Sequence, residues 1–200
     1  MNCHYCDTDF RGPYQEISSK ELLEEIQTQI HTSGPFHAIS LTGGEPLLWT
    51  KFLKQILPDL KAAKQTIYLE TNGTLPHSLR EIQPWVDIVA MDIKPPSATA
   101  DRAYWAEHAE FLKTAAESGK EVFVKIVVTA QTVLSEIEQA VALVAGVNPA
   151  IPFILQPVTP WGAVKERPSA EQLEQWRATA RRQLNDVRII PQVHRILGVR

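Results

Sequence analysis

The stretch Ala38-Ile39-Ser40-Leu41-Thr42-Gly43-Gly44-Glu45-Pro46 decides how the chain is read. Residues 38–41 form a short apolar run of the kind that makes a buried strand. It passes directly into a turn of two glycines, an acid and a proline. Beyond the turn, Trp49, Phe52, Leu53, Ile56, Leu57 and Leu60 follow the three-four spacing of an amphipathic helix. The same unit recurs on either side. Upstream, Ser18 and Glu21 form a capping-box signature ahead of Leu22, Leu23, Ile26 and Ile30. Downstream, strands are predicted over 66–69, 86–91, 122–128, 151–155 and 187–190. Helices are predicted over 77–82 and over 103–117, the latter stopping near Gly119. Further helical faces are Leu134, Ile137, Val141 and Val144, and a segment opened by Ser169 and Gln172 that carries Leu173, Trp176 and Leu184.

Regular alternation of short apolar strands with helices is the pattern of a parallel sheet covered by helices, an α/β fold. Periodicity alone does not separate a doubly wound sheet from an open (β/α) barrel. No repeat, low-complexity linker or change of composition interrupts the chain, so 1–200 reads as one domain. The 200 residues are 44% hydrophobic and 22% charged, enough apolar material for a core without disulfides. A net charge of −3 argues against a non-specific nucleic-acid binder, which is normally basic. No apolar run reaches the roughly 18 residues of a membrane span. No charged leader with an apolar segment opens the chain. The expected setting is the cytoplasm, with no membrane and no nucleic-acid partner.

The unusual residues sit in turns that follow predicted strands: Thr42-Gly43-Gly44-Glu45-Pro46, Glu70-Thr71-Asn72-Gly73-Thr74, Asp92-Ile93-Lys94-Pro95-Pro96-Ser97 and Gln156-Pro157. In parallel α/β architectures the carboxyl ends of the strands form the ligand-binding rim. Any one such turn serves simply to connect strand to helix; four of them with a cysteine pair make a site. Gly43 and Gly44 let backbone approach a ligand closely. Glu45 can meet a cationic amine, Lys94 can pair with a carboxylate of a ligand or of Asp92, and Asn72 and Ser97 offer amide and hydroxyl partners. Lys125 is a charge in an otherwise apolar strand, costly unless paired, and either faces a barrel lumen or joins a salt bridge.

The chain has two cysteines, Cys3 and Cys6. Thiolates suit zinc and iron–sulfur clusters. A structural zinc site needs four ligands, and no second pair exists; His4 lies beside the pair, His31 and His37 lie far along the chain without ligand spacing, and all three read as surface residues. A two-cysteine redox protein is a weaker reading, because no predicted strand precedes the pair and the rim motifs are then unexplained.

Cys3-His4-Tyr5-Cys6 resembles the last two cysteines of the C-x3-C-x2-C motif of radical S-adenosylmethionine enzymes, and Gly43-Gly44-Glu45-Pro46 resembles their second hallmark. The resemblance implies a 4Fe–4S cluster held by three thiolates. Its open iron binds S-adenosylmethionine, the source of a 5′-deoxyadenosyl radical. More narrowly, Cys6-Asp7-Thr8, Glu70-Thr71-Asn72-Gly73-Thr74, Lys94-Pro95-Pro96-Ser97 and Pro191-Gln192-Val193-His194-Arg195 are similar to the 7-carboxy-7-deazaguanine synthase family. This implies an incomplete (β/α) barrel of parallel strands lacking the family's N-terminal strand. The implied reaction is a carbon–nitrogen lyase step that contracts 6-carboxy-5,6,7,8-tetrahydropterin to 7-carboxy-7-deazaguanine with loss of ammonia. That step lies on the route to queuosine, a tRNA modification.

By the same resemblance, Cys3 and Cys6 are cluster ligands, and Tyr5, Cys6 and Asp7 line the S-adenosylmethionine site. Gly43, Gly44, Glu45, Gly73, Lys94, Ser97 and Gln156 lie near that cofactor. Thr8 ligates Mg²⁺, although a helix or turn cap is its other reading. Thr71, Gln192 and His194 meet the pterin substrate, His194 having a structural histidine as its alternative. A homodimer and an electron donor such as flavodoxin are also implied. The first cluster cysteine belongs four positions before Cys3 and is not in this sequence, so this chain alone is expected to hold the cluster poorly, with Met1 an internal methionine of a longer chain. The alternatives are a glycyl-radical-activating enzyme, which shares the Gly-Gly-Glu-Pro turn and an Asp-x-Lys string, and a degenerate, non-catalytic barrel.

Overall fold

The computed structural model describes Tyr5, residues 15–99 and residues 101–193. Cys3, Cys6, Asp7, Thr8 and His194 therefore lie outside the described residues. The chain runs α1 (Ser19–Ser33), β1 (Ile39–Leu41), a 3-10 turn (Pro46–Trp49), α2 (Thr50–Ala62), β2 (Ile67–Thr71) and α3 (Pro76–Ile82). A second 3-10 turn (Gln83–Trp85), β3 (Ile88–Ile93), α4 (Pro96–Thr99), α5 (Trp105–Glu117), β4 (Glu121–Val128) and α6 (Leu134–Val147) follow. The run ends with β5 (Phe153–Pro157), α7 (Ala170–Ala180) and β6 (Val187–Ile189).

The six strands form one sheet in the order β1-β2-β3-β4-β5-β6, and every pairing is parallel. This order resolves what periodicity leaves open. A doubly wound sheet reverses its strand order partway and places helices on both faces. Here the order never reverses. Successive right-handed crossovers then place the helices on one face and curl the sheet about the other. No pairing joins β1 to β6 among the described residues, so the barrel is incomplete.

Side-chain alternation divides each strand between the two faces. Leu41, Ile67, Leu69, Val89, Met91, Ile93, Val124, Ile126, Phe153 and Leu155 join one core with Leu53, Ile56 and Leu57 of α2, Phe111 and Leu112 of α5, and Ile137 and Val141 of α6. The alternate positions, Ser40, Tyr68, Glu70, Asp92, Phe123, Lys125, Ile154 and Gln156, stay outside that core and line the inner face. Tyr68 and Phe123 meet there with ring centroids 6.1 Å apart. Burial, with Glu70 and Glu121 nearby, pushes the Tyr68 hydroxyl up to about 12.

The capping box anticipated at Ser18 forms, and the helix opened by Ser169 starts with a second one. Ser18 and Glu21 exchange side-chain and backbone bonds at the start of α1, and Ser169 and Gln172 do so at the start of α7. The predicted strands and long helices are present with small shifts of boundary. Trp49 closes the 3-10 turn rather than entering α2, because Glu45 caps that turn first. Leu184 lies past the end of α7, although it still reaches the core. The segment read as a turn after β3 contains the single-turn helix α4.

Candidate functional site

The site begins with Glu45. Its carboxylate accepts from the Leu47 amide at 3.2 Å, closing the 3-10 turn on itself. It also accepts from the Thr71 hydroxyl at 2.8 Å and the Asn72 amide at 2.8 Å, which ties the turn after β1 to the turn after β2. Burial pushes the Glu45 carboxyl above the usual carboxylate range, against those hydrogen bonds and the Lys94 charge. The acid of the Gly-Gly-Glu-Pro turn is therefore first a brace between two rim turns. Ahead of it, Gly43 has φ +123, and among the described residues, its chain neighbours aside, no atom lies within 4 Å of where its Cβ would stand. Among the described residues, that leaves the Gly43 backbone uncovered at the rim.

Thr71 is buried, donates to Glu45 and accepts from the Gly73 amide at 3.2 Å. Gly73 sits at φ +63 over the Met91 side chain, where an added Cβ would lie 2.7 Å from Met91 Cε. Lys94 Nζ bonds Asp92 at 2.6 Å and lies 3.1 Å from the Tyr5 hydroxyl. It also stands 5.4 Å from the centre of the Tyr5 ring. Of the two pairings open to Lys94 in the sequence, the described contacts include the one with Asp92. Lys125, in register with Asp92 on the neighbouring strand, stands 3.9 Å from the same carboxylate oxygen. Both readings of Lys125 hold together: it is on the inner face, and it is paired.

Tyr5 is buried with Ala98, Val127 and Val158 in a small cluster of its own. The residue beside Cys6 in sequence is thus set against Lys94, at the rim that holds Glu45 and Gly73. Ser97 donates its amide to Glu136 of α6 at 2.9 Å, and its hydroxyl bonds the other oxygen of that carboxylate. Beside it lies a cavity of about 390 Å³ lined by Ser97, Ala98, Thr129, Gln131, Val164 and Lys165, among others. Gln156 lies on the inner face at the end of β5. Gln192 is buried and accepts from the Thr159 amide at 2.8 Å, which ties the C-terminal stretch to the loop after β5. Among the described residues, no three of His, Cys, Asp or Glu converge as a metal site.

Sequence reasoning missed His108 and Glu136. His108 of α5 is fully buried, with Nδ1 3.2 Å from the Gly73 carbonyl oxygen and Nε2 3.2 Å from the Lys94 amide. The signal was available: His108 shares a helical face with Phe111, Leu112 and Ala115, an apolar face on which an imidazole needs partners.

Residues 1–144 match the family model of the radical SAM superfamily. A 7-carboxy-7-deazaguanine synthase of Geobacter sulfurreducens is 44% identical, the alignment spanning 99% of this chain and 85% of the relative. The chain belongs to the radical SAM superfamily, in the 7-carboxy-7-deazaguanine synthase family. The superfamily's 4Fe–4S cluster and S-adenosylmethionine are the cofactors that membership implies. Among solved structures, Streptococcus suis SuiB bound to S-adenosylmethionine superposes with a TM-score of 0.69 at 16% identity, covering 96% of this chain and 47% of SuiB. A domain of pyruvate-formate lyase-activating enzyme from Bacteroides vulgatus gives 0.61 at 19% identity, covering 78% of this chain and 99% of that domain. At such identities the likeness concerns the fold, an open parallel barrel, and not the substrate.

Proposed function

We propose that this chain is a radical S-adenosylmethionine lyase that converts 6-carboxy-5,6,7,8-tetrahydropterin to 7-carboxy-7-deazaguanine, on the route to queuosine in tRNA. The carrying observation is the junction of the Gly43–Glu45 turn with Thr71 and Asn72 through one buried carboxylate, in a chain of this family. The glycyl-radical-activating alternative has support from fold alone.

The rim suits S-adenosylmethionine. Gly43 offers backbone that no described residue beyond its chain neighbours covers, Lys94 and Glu45 bring opposite charges, and Tyr5 closes beside Lys94. When bound, that cofactor supplies a carbon radical that abstracts a substrate hydrogen. The cluster is a different matter. Keeping one iron open takes three thiolates, and this sequence supplies Cys3 and Cys6. Cys3 and Cys6 would supply two of those thiolates, one short of a complete cluster site.

In this reading Tyr5, Cys6, Asp7, Gly43, Gly44, Glu45, Gly73, Lys94, Ser97 and Gln156 serve S-adenosylmethionine. Thr71, Gln192 and His194 serve the pterin, and Thr8 serves Mg²⁺. Thr71 acts through the turn it organises, because its hydroxyl is shared between Glu45 and Gly73. Ser97 is held by Glu136 in the lining of the cavity. A small-molecule substrate fits this arrangement. A cytoplasmic homodimer reduced by a flavodoxin-like donor completes the reading.

The test is anaerobic reconstitution of two proteins: the chain itself, and a version extended to place a cysteine four positions before Cys3. Each is given reductant, S-adenosylmethionine, Mg²⁺ and the carboxytetrahydropterin. The extended protein is expected to form 7-carboxy-7-deazaguanine, and the chain alone little or none. Absence of that product from an extended protein carrying a full cluster overturns the proposal.

A further inference from the structure

The turn after β2 and the turn after β3 both carry residues assigned above to the cofactor, Gly73 and Lys94. The β2–β3 ladder ends at the pair Thr71 and Met91. Past that point, sheet hydrogen bonds no longer set the separation of the two backbones. One side chain spans the gap. His108 Nδ1 lies 3.2 Å from the Gly73 carbonyl oxygen, and Nε2 lies 3.2 Å from the Lys94 amide nitrogen.

A carbonyl can only accept and an amide N–H can only donate, so these partners define the ring. Nδ1 carries the proton, Nε2 presents its lone pair, and the imidazole is neutral. A second ring proton would oppose two donors at Nε2. The ring enters from α5, between the core residues Phe111 and Leu112 and the rings of Tyr104 and Trp105, whose centroids lie 6.3 and 6.4 Å away. The charged groups that act on it are Asp92 and Lys94 from β3 and its turn, and Glu107 from its own helix. Burial outweighs them and pushes its pKa down to about 4.

We propose that His108 is a positioning residue, a neutral clasp with its proton on Nδ1 that fixes the Gly73 and Lys94 turns at the separation needed to receive S-adenosylmethionine. The assignment of the ligand rests on the functional reading above; the clasp itself rests on geometry. A rigid ring with one donor and one acceptor suits the task, since a shift of about 1 Å at a binding rim carries a large penalty in binding and rate.

Three measurements test it, on the full chain and its H108F and H108Q variants. Nitrogen NMR of the His108 ring is expected to show the Nδ1–H tautomer. Amide exchange in residues 72–75 and 94–97 is expected to quicken about tenfold in H108F, the effect of losing two buried hydrogen bonds. S-adenosylmethionine affinity, by equilibrium dialysis of the cluster-loaded protein extended by the cysteine four positions before Cys3, is expected to fall about tenfold with the same substitution. H108Q, whose amide retains a donor and an acceptor, is expected to recover most of both. An Nε2–H tautomer in the unmodified chain overturns the proposal, and so does unchanged exchange in both turns of H108F. Faster exchange with unaltered affinity also overturns it. A cluster-loaded protein extended by the cysteine four positions before Cys3, with the Nδ1–H ring and protected turns, that binds no S-adenosylmethionine upholds the clasp and counts against the functional reading alone. The tautomer measurement needs no variant, so the proposal stays testable if H108F does not fold.

Discussion

Glu45 illustrates how a single buried carboxylate is shared. An ionised carboxylate offers about four acceptor positions, and three of those on Glu45 are taken by Leu47, Thr71 and Asn72. Little is left for a ligand, so its influence on the cofactor passes mostly through the shape of the two turns. Gly73 shows the steric side of the same rim. Its φ of +63 disfavours any L side chain, and the Met91 Cε and Cγ atoms, 2.7 and 2.8 Å from the missing Cβ, occupy the space. Gly73→Ala is expected to destabilise the chain by about 1–3 kcal/mol, the usual cost of strain with overpacking, measured by urea unfolding.

At the scale of elements, the helices are held by local chemistry as well as by packing. The capping box of α7 satisfies two orphan amides. Ser169→Ala is expected to cost about 1 kcal/mol, read from the urea midpoint at unchanged slope. Helix α5 carries a pH response through His108. In the unfolded chain this imidazole titrates near its ordinary 6.5, and in the fold near 4. Between those values the unfolded state holds the extra proton, so stability rises with pH through the window and is lost as pH falls from 6.5 towards 4. The contribution at neutral pH is about 3 kcal/mol. H108Q is expected to lack this component of the slope in urea unfolding measured between about pH 7 and about pH 4.

For the whole molecule, the monotonic strand order leaves one sheet face to the helices and the other to the lumen. Strand residues on the two faces therefore have different tolerances. Leu69→Ala, in the helix-facing core, is expected to cost about 2–5 kcal/mol. Ser40→Ala, on the inner face and exposed, is expected to stay within about 0.5 kcal/mol. Equal costs at the two positions would contradict the one-sided arrangement. Among the described residues, no helix is long and apolar enough to cross a membrane.

The sequence by itself determined the strand and helix alternation, because apolar period and capping residues are local properties of the chain. It also marked the rim, because glycine, proline and acid cluster where strands end. It could not choose between a doubly wound sheet and an open barrel, since strand order is a matter of which distant segments pair. Nor could it show that Glu45 spends its carboxylate on Thr71 and Asn72, or that His108 bridges Gly73 and Lys94. Those bonds join residues 26 to 35 positions apart, apart from the 14 between Lys94 and His108. Only the pairing of neighbouring strands and the docking of α5 against the sheet bring such partners within reach.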